Sequence, residues 1–313
     1  GIILIMKGER FMDSNNSGLT GFFSEKTQKK LRFVILGLIP AYIFYLLYLV
    51  VPIPLSFYYS LFSWSGIKEL IFVGLENWQL VLQDEIFWKA LTNNFLLVIL
   101  SLLIQIPIGL LLGVFISKKI KGYKVFRVIF FLPYIMSAVA VGILFSYIYD
   151  PSFGLLNNFL QMIGLESLQR AWLGNRTTAI FSVIGAISWR FTPFYMILFS
   201  AALASIPQSI YEAAKIDGAK GWQRFFNITL PMIKPTIINA CILSITGSLK
   251  AFGLAFTMTG GGPNHASELL ATYMYKTAFT DMEMGYGSTI GIYLFLIAFI
   301  ISMTVLFFSK RKR

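Results

Sequence analysis

The chain contains a single imidazole, His265, and a single thiol, Cys241, so the usual catalytic and metal chemistries have little to work with. One cysteine excludes a disulfide within the chain and any multi-cysteine metal site, and one histidine disfavours a His-based metal site or a Ser–His mechanism. Cys241 lies in an apolar run and reads as packing. The informative groups are cations in apolar surroundings. Arg190 falls near the middle of the run Thr178–Leu203, about 18 Å from either end of a helix. A cation at that depth costs at least ~2.5–3.5 kcal/mol, so it should face a cavity, a partner subunit or an anion. Lys250 lies nearer the end of the run Thr236–Met258, where its stem can snorkel outward. Trp189, Phe191, Phe194 and Tyr195 surround Arg190, and Ser244, Thr246, Gly247 and Ser248 precede Lys250. Aromatic faces with interspersed donors suit polyhydroxylated ligands. Ordinary helix packing uses the same residue types, and taken singly each residue fits packing better. As a set they read as a pathway lining. The two cations leave an anionic ligand open beside a neutral one.

Such groups must be held by elements that lipid solvates. Of the 313 residues, 57% are hydrophobic and only 13% charged, with a mean hydropathy of +0.72. Soluble globules carry about 25% charged residues, so a soluble enzyme, a disordered tail and a fibrous protein all fit poorly. Runs long enough to cross the bilayer as helices occur at Phe33–Tyr58, Asn94–Ile116, Val128–Tyr149, Thr178–Leu203, Thr236–Met258 and Gly287–Phe308. They are continuous rather than alternating, which favours helices over a barrel. The expected fold class is therefore all-α: a polytopic membrane protein with six transmembrane helices. Residues 1–32 form an N-terminal segment, 33–308 the six-span domain, and 309–313 a basic tail.

Most of the 26 Lys and Arg residues fall on one side of this arrangement. They precede the first run, as at Lys26, Lys29, Lys30 and Arg32. They fill the second connection (Lys118, Lys119, Lys121, Lys124, Arg127) and the fourth (Lys215, Lys220, Arg224, Lys234), and they end the chain (Lys310–Arg313). The positive-inside rule makes that side, with both termini, cytoplasmic. The net charge of +12 then reads as topology and not as a nucleic-acid surface. Gly1–Met6 is apolar but too short for a cleavable signal core, so the first span is expected to act as an uncleaved signal anchor. No Asp or Glu lies well inside a run and no internal repeat is visible. Both facts weigh against an ion-coupled secondary transporter. A non-transporting receptor or scaffold would explain the spans but not the loop between the fourth and fifth.

That cytoplasmic loop, residues 205–235, carries the sharpest pattern. Ser209 and Glu212 have capping-box spacing, Ile210, Ala213, Ala214 and Asp217 follow at helical spacing, and Gly218 suits the left-handed position that ends a helix. A second short helix is expected over Trp222–Thr229, with Pro231 and Pro235 bracketing the start of the next span. The spelling Glu212-Ala213-Ala214, Asp217-Gly218-Ala219 and Leu230-Pro231 resembles the EAA signature of binding-protein-dependent ABC importer permeases. The resemblance implies a type I ABC importer permease fold. It also implies that the first loop helix, with Ser209, Tyr211, Glu212, Ala213, Ala214, Asp217, Gly218 and Ala219, docks in a cleft of an ATP-hydrolysing partner. A self-capped surface loop is the plainer alternative.

Further segments resemble the carbohydrate branch of that family. They are Phe130-Phe131-Leu132-Pro133, Asp150-Pro151, Gly154-Leu-Leu-Asn157, and Phe256-Thr-Met-Thr-Gly-Gly-Gly-Pro263, followed by Ala271–Phe279. The Gly260–Pro263 run reads locally as a flexible exit turn. That branch often carries an acidic residue after the aromatic of span five; here Phe252 is followed by Gly253. The resemblance implies a sugar pathway over Trp189, Arg190, Phe194, Tyr195, Ser244, Gly247, Ser248 and Lys250. It implies a second permease subunit, two ATPase subunits that bind ATP and Mg, an extracytoplasmic solute-binding protein, and residence in the bacterial cytoplasmic membrane. The chain has no Walker A run, so it is expected to bind no cofactor or metal of its own and to be a transport subunit rather than an enzyme. An ABC permease for a phosphorylated or other non-sugar solute is the alternative.

Overall fold

The computed structural model describes residues 25–118 and 121–310. The readings of Gly1–Met6, most of the N-terminal segment, Lys119 and the end of the basic tail lie outside them. The chain divides into two compact units, residues 1–55 and 56–313. The first contains α1 (Glu25–Tyr45) and a π-helical turn (Leu46–Val50). A continuous apolar helical stretch, Leu36–Ser60, runs on through α2 (Pro52–Ser60).

The second unit continues with a two-stranded antiparallel ribbon, β1 (Phe62–Ser63) on β2 (Ile71–Phe72), which the all-α expectation did not include. Then come α3 (Glu76–Gln83), α4 (Glu85–Ser117), α5 (Tyr123–Ile135), α6 (Ala138–Ile148), α7 (Leu155–Met162), α8 (Ala179–Ala204) and α9 (Gln208–Ile216). The remaining helices are α10 (Gly221–Arg224), α11 (Leu230–Leu249), α12 (Gly253–Thr259), α13 (Leu270–Tyr275) and α14 (Met284–Lys310). Among the described residues five helical stretches are long and apolar enough to cross a membrane, or six if the bent pair α5 and α6 is one span.

Span two starts nine residues before the expected Asn94, since α4 begins at Glu85, and two further spans differ more. Span three, read as one helix, is broken: α5 and α6 meet at 97°. Met136 and Ser137 are extended there, and Ser137 caps α6 by accepting from the Ala140 amide. Apolar content says nothing about a bend, because both halves are apolar. Span five begins earlier and ends earlier than read. The helix runs unbroken from Gly221 to Leu249, through a π-helical segment at Phe225–Thr229, and the chain breaks at Lys250 before α12.

The core of the second unit lies where α4 meets α8. Leu97, Val183, Ile184 and Ala186 pack there with Val141 of α6 and Leu254 of α12, all buried. Glycine permits the close approach. A Cβ on Gly109 would stand 2.6 Å from the Tyr195 Cβ, and one on Gly113 would stand 3.0 Å from the Phe199 Cβ. Gly109 and Gly113 form a small-xxx-small stripe on α4, the device that brings membrane helices together without a hydrophobic driving force. The stripe is legible in the sequence but is easily lost among the surrounding leucines.

Asp84 caps α4 by accepting from the Ile86 amide at 2.8 Å, and it also accepts from the hydroxyls of Tyr273 and Tyr286. Burial and the adjacent Asp84 carboxylate push the Tyr273 phenol above its ordinary value. The Gly260–Pro263 run is a bonded turn rather than a loose one. The Ser267 hydroxyl donates to Gly262 O at 2.6 Å, and Gly261, in the left-handed region, lies so close to the Glu268 carboxylate that a Cβ would meet it at 2.3 Å. Glu268 is fully buried and holds Lys276 Nζ at 2.7 Å, His265 Nδ1 at 2.8 Å and the Thr272 hydroxyl at 2.7 Å.

Candidate functional site

Two features concentrate the residues singled out by the sequence. The first is the loop between α8 and α11. Pro207 is the N-cap of α9, so Ser209 lies within the first turn, no side chain caps the helix, and the expected Ser209–Glu212 capping box is absent. Proline fixes its own φ, which lets it start the helix without a side-chain acceptor. Gly218 takes φ +74 with open space around it, as the left-handed C-terminal position requires. The Ala219 amide donates to Ala214 O at 2.9 Å and closes the turn.

Ala214 is buried, and Tyr211 hydrogen-bonds Thr229 at 2.9 Å, so one face of α9 rests on the start of the long helix. The opposite face is bare. Ser209, Glu212, Ala213, Asp217 and Gly218 are exposed, as is Ile216 at 87% and Trp222 at 64%. Glu212 has no hydrogen bond or ion pair among the described residues. The second short helix is not a separate element as expected: α10 continues through the π-helical turn into α11.

The second feature is a cavity of about 350 Å³ walled by α4, α5, α8, α11 and the break before α12. Of the sequence-derived pathway residues, Arg190, Phe194, Tyr195, Ser244, Gly247, Ser248 and Lys250 all line it. Trp189 does not; it points elsewhere and packs edge-on against Phe145 at 5.3 Å. Gln105, Tyr134, Ala138 and Phe252 also line it and were missed. Gln105 is a buried amide in an apolar helix, bonded to Ser101 at 2.9 Å, and its polarity was the available signal. Tyr134 stacks on Phe194 at 5.4 Å, an approach that only the bend after α5 brings about.

Arg190 is held by one hydrogen bond, from Nη2 to Met136 O at 3.1 Å, at the extended residue of that bend. Its guanidinium lies 5.1 Å from the Phe191 ring centroid. Its Nε and the Ser244 hydroxyl are buried without a hydrogen-bond partner. Lys250 is not inside a span as expected. It is the exposed C-cap of α11, where a cation is favoured by the helix dipole. A half-open, aromatic-walled cavity with a few inward-facing polar groups has the chemistry of a small-molecule site. Among the described residues no group of three His, Cys, Asp or Glu side chains could hold a metal ion.

The family described as binding-protein-dependent transport system inner membrane component matches residues 105–313. The chain belongs to this family. It is therefore a membrane component of a transport system, and the relatives are named as permeases rather than enzymes. It is 40% identical over 278 residues to the probable ABC transporter permease protein YurN of Bacillus subtilis (strain 168), covering 88% of this chain and 95% of that one. It is 31% identical to the diacetylchitobiose uptake system permease protein NgcF of Streptomyces coelicolor, covering 85% and 79% of the two chains. Among solved structures, a chain of a bacterial ABC transporter involved in the import of the acidic polysaccharide alginate superposes with a TM-score of 0.79. The two are 27% identical, and the match covers 91% of this chain and 98% of that one.

Proposed function

We propose that this chain is one permease subunit of an ATP-driven carbohydrate importer in a bacterial cytoplasmic membrane. In this reading α5 and α6 count as one broken span, giving six, and both termini face the cytoplasm, as the distribution of Lys and Arg supports. A second permease completes the pathway. Two ATPase subunits bind ATP and Mg and supply the energy, and an extracytoplasmic binding protein delivers the sugar. Family membership and permease relatives named for sugar uptake support the transport class and the carbohydrate cargo.

The observation that carries the coupling role is the bare face of α9. Glu212, Ala213, Ile216 and Asp217 are exposed on a helix anchored from behind by Ala214 and Tyr211. Small Ala213 lets a partner wall approach, and Glu212 offers a carboxylate to a basic group there. Closure of the ATPase dimer would push this knob, and α8 and α11 would carry the motion to the cavity, opening it to alternate sides. The test is Glu212→Lys in the assembled importer. ATP hydrolysis should persist while uptake falls at least ten-fold, with the protein still folded and inserted. Unchanged uptake would remove α9 from the coupling path.

A further inference from the structure

The cavity is unbalanced in charge. Arg190 and Lys250 both line it, and no Asp or Glu does. The ion pairs among the described residues converge on Glu268, outside this cavity. Arg190 is half-buried, spends one donor on Met136 O and keeps a buried Nε unpartnered, with no carboxylate among the cavity residues to pair with it. Hydroxyl groups can occupy such donors but do not neutralise two cations. A carboxylate accepts charge-assisted bonds from a guanidinium or an ammonium and offsets one of the two positive charges.

Gly253 offers no side chain that could offset these cations. It lines the cavity at the first position of α12, three residues beyond Lys250. Its φ lies outside the left-handed region, and a Cβ there would meet only the Ala138 Cβ, at 3.2 Å. A contact that short is tighter than an ordinary van der Waals one, so a side chain here would need Ala138 to give way. The glycine also leaves Arg190 and Lys250 without an acidic neighbour at this position.

Resting on the reading of the cavity as the cargo site, we infer that the cargo is an acidic sugar whose anionic group is received between Arg190 and Lys250. Gly253 adds no negative charge that would oppose it. The test uses the whole importer, both permeases with the ATPase and binding protein, in cells otherwise unable to import oligosaccharides. The cells receive a defined mixture of neutral xylo-, arabino- and galacto-oligosaccharides, uronate-containing oligosaccharides and sugar phosphates, and depletion from the medium is followed by mass spectrometry.

Depletion of uronate-containing species is the expected result. Depletion of sugar phosphates would also bear out an acidic cargo and would assign the anion to phosphate. Selective depletion of neutral species would overturn the inference while leaving the transport reading intact. Absence of any depletion, with the complex assembled and hydrolysing ATP, would overturn the transport reading itself. Gly253→Asp should cut uptake of the acidic species at least ten-fold, and the isosteric but uncharged Gly253→Asn should cut it several-fold less. Equal losses would show that size, not charge, matters at this position.

Discussion

Glu268 is the most tightly held carboxylate described here. Lys276, His265 and Thr272 all point at it, and Asn93 donates to its backbone carbonyl at 2.9 Å. It locks the turn that includes Gly261, whose missing Cβ makes room for the carboxylate. Removing one partner of a buried ion pair costs about 3–5 kcal/mol. Glu268→Ala should therefore lower resistance to denaturant in detergent by roughly that amount. Combining it with Lys276→Met should cost less than the sum of the two single losses; strict additivity would mean that the pair is not coupled. Tyr211 invites a gentler change. Tyr211→Phe deletes its hydrogen bond to Thr229, worth about 1 kcal/mol. It should leave assembly intact but reduce the uptake obtained per ATP hydrolysed, because α9 would rest less firmly on the long helix.

At the scale of elements, the α4–α8 contact depends on two absent side chains. Gly109→Val and Gly113→Val would drive a branched side chain into Tyr195 and Phe199. Overpacking of this kind costs about 1–3 kcal/mol. Each variant should lower the thermal midpoint of the purified complex and, because Tyr195 lines the cavity, weaken uptake as well. Normal stability with either variant would contradict the packing described. The spans themselves were readable because each is a long apolar run, and the end of the knob was readable from Gly218, whereas its start was read from a Ser209–Glu212 capping box that is absent, the helix beginning instead after Pro207. The bend after Ile135 was not, since hydropathy averages over both halves and Ser137 resembles any serine at a helix interface. Nor was the early end of α11: Lys250 interrupts a run whose next residues are again apolar, and only the backbone shows that the helix stops there. The same two breaks brought Tyr134 and Phe252 into the cavity wall unforeseen, whereas Arg190 and Ser244 stood out as polar groups in apolar helices.

For the whole molecule, the apolar surface faces outward over most helices, as at Leu103 of α4, Leu111 of α4 and Phe299 of α14, all exposed. That surface calls for lipid or a partner helix rather than water. The proposed sidedness is testable across the bilayer. In a Cys241→Ser background, a cysteine replacing Asp217 should react with a membrane-impermeant thiol reagent only after the cells are opened. One replacing Gln169, between α7 and α8, should react in intact cells. The reverse pattern would invert the topology and remove α9 from the reach of any cytoplasmic ATPase.

The unbroken helix from Gly221 to Leu249 joins the two features of interest end to end. Its 29 residues span about 44 Å, with α9 leaning on one tip and Lys250 at the other. Its π-helical turn and Pro235 are the points at which it can flex, yet it stays one continuous helix, so a swing at the tip beside the knob becomes a displacement at the cavity. Paired spin labels along the rod should keep a constant spacing through the transport cycle, and the gap between its far tip and the bend at Ser137 should be the distance that opens and shuts.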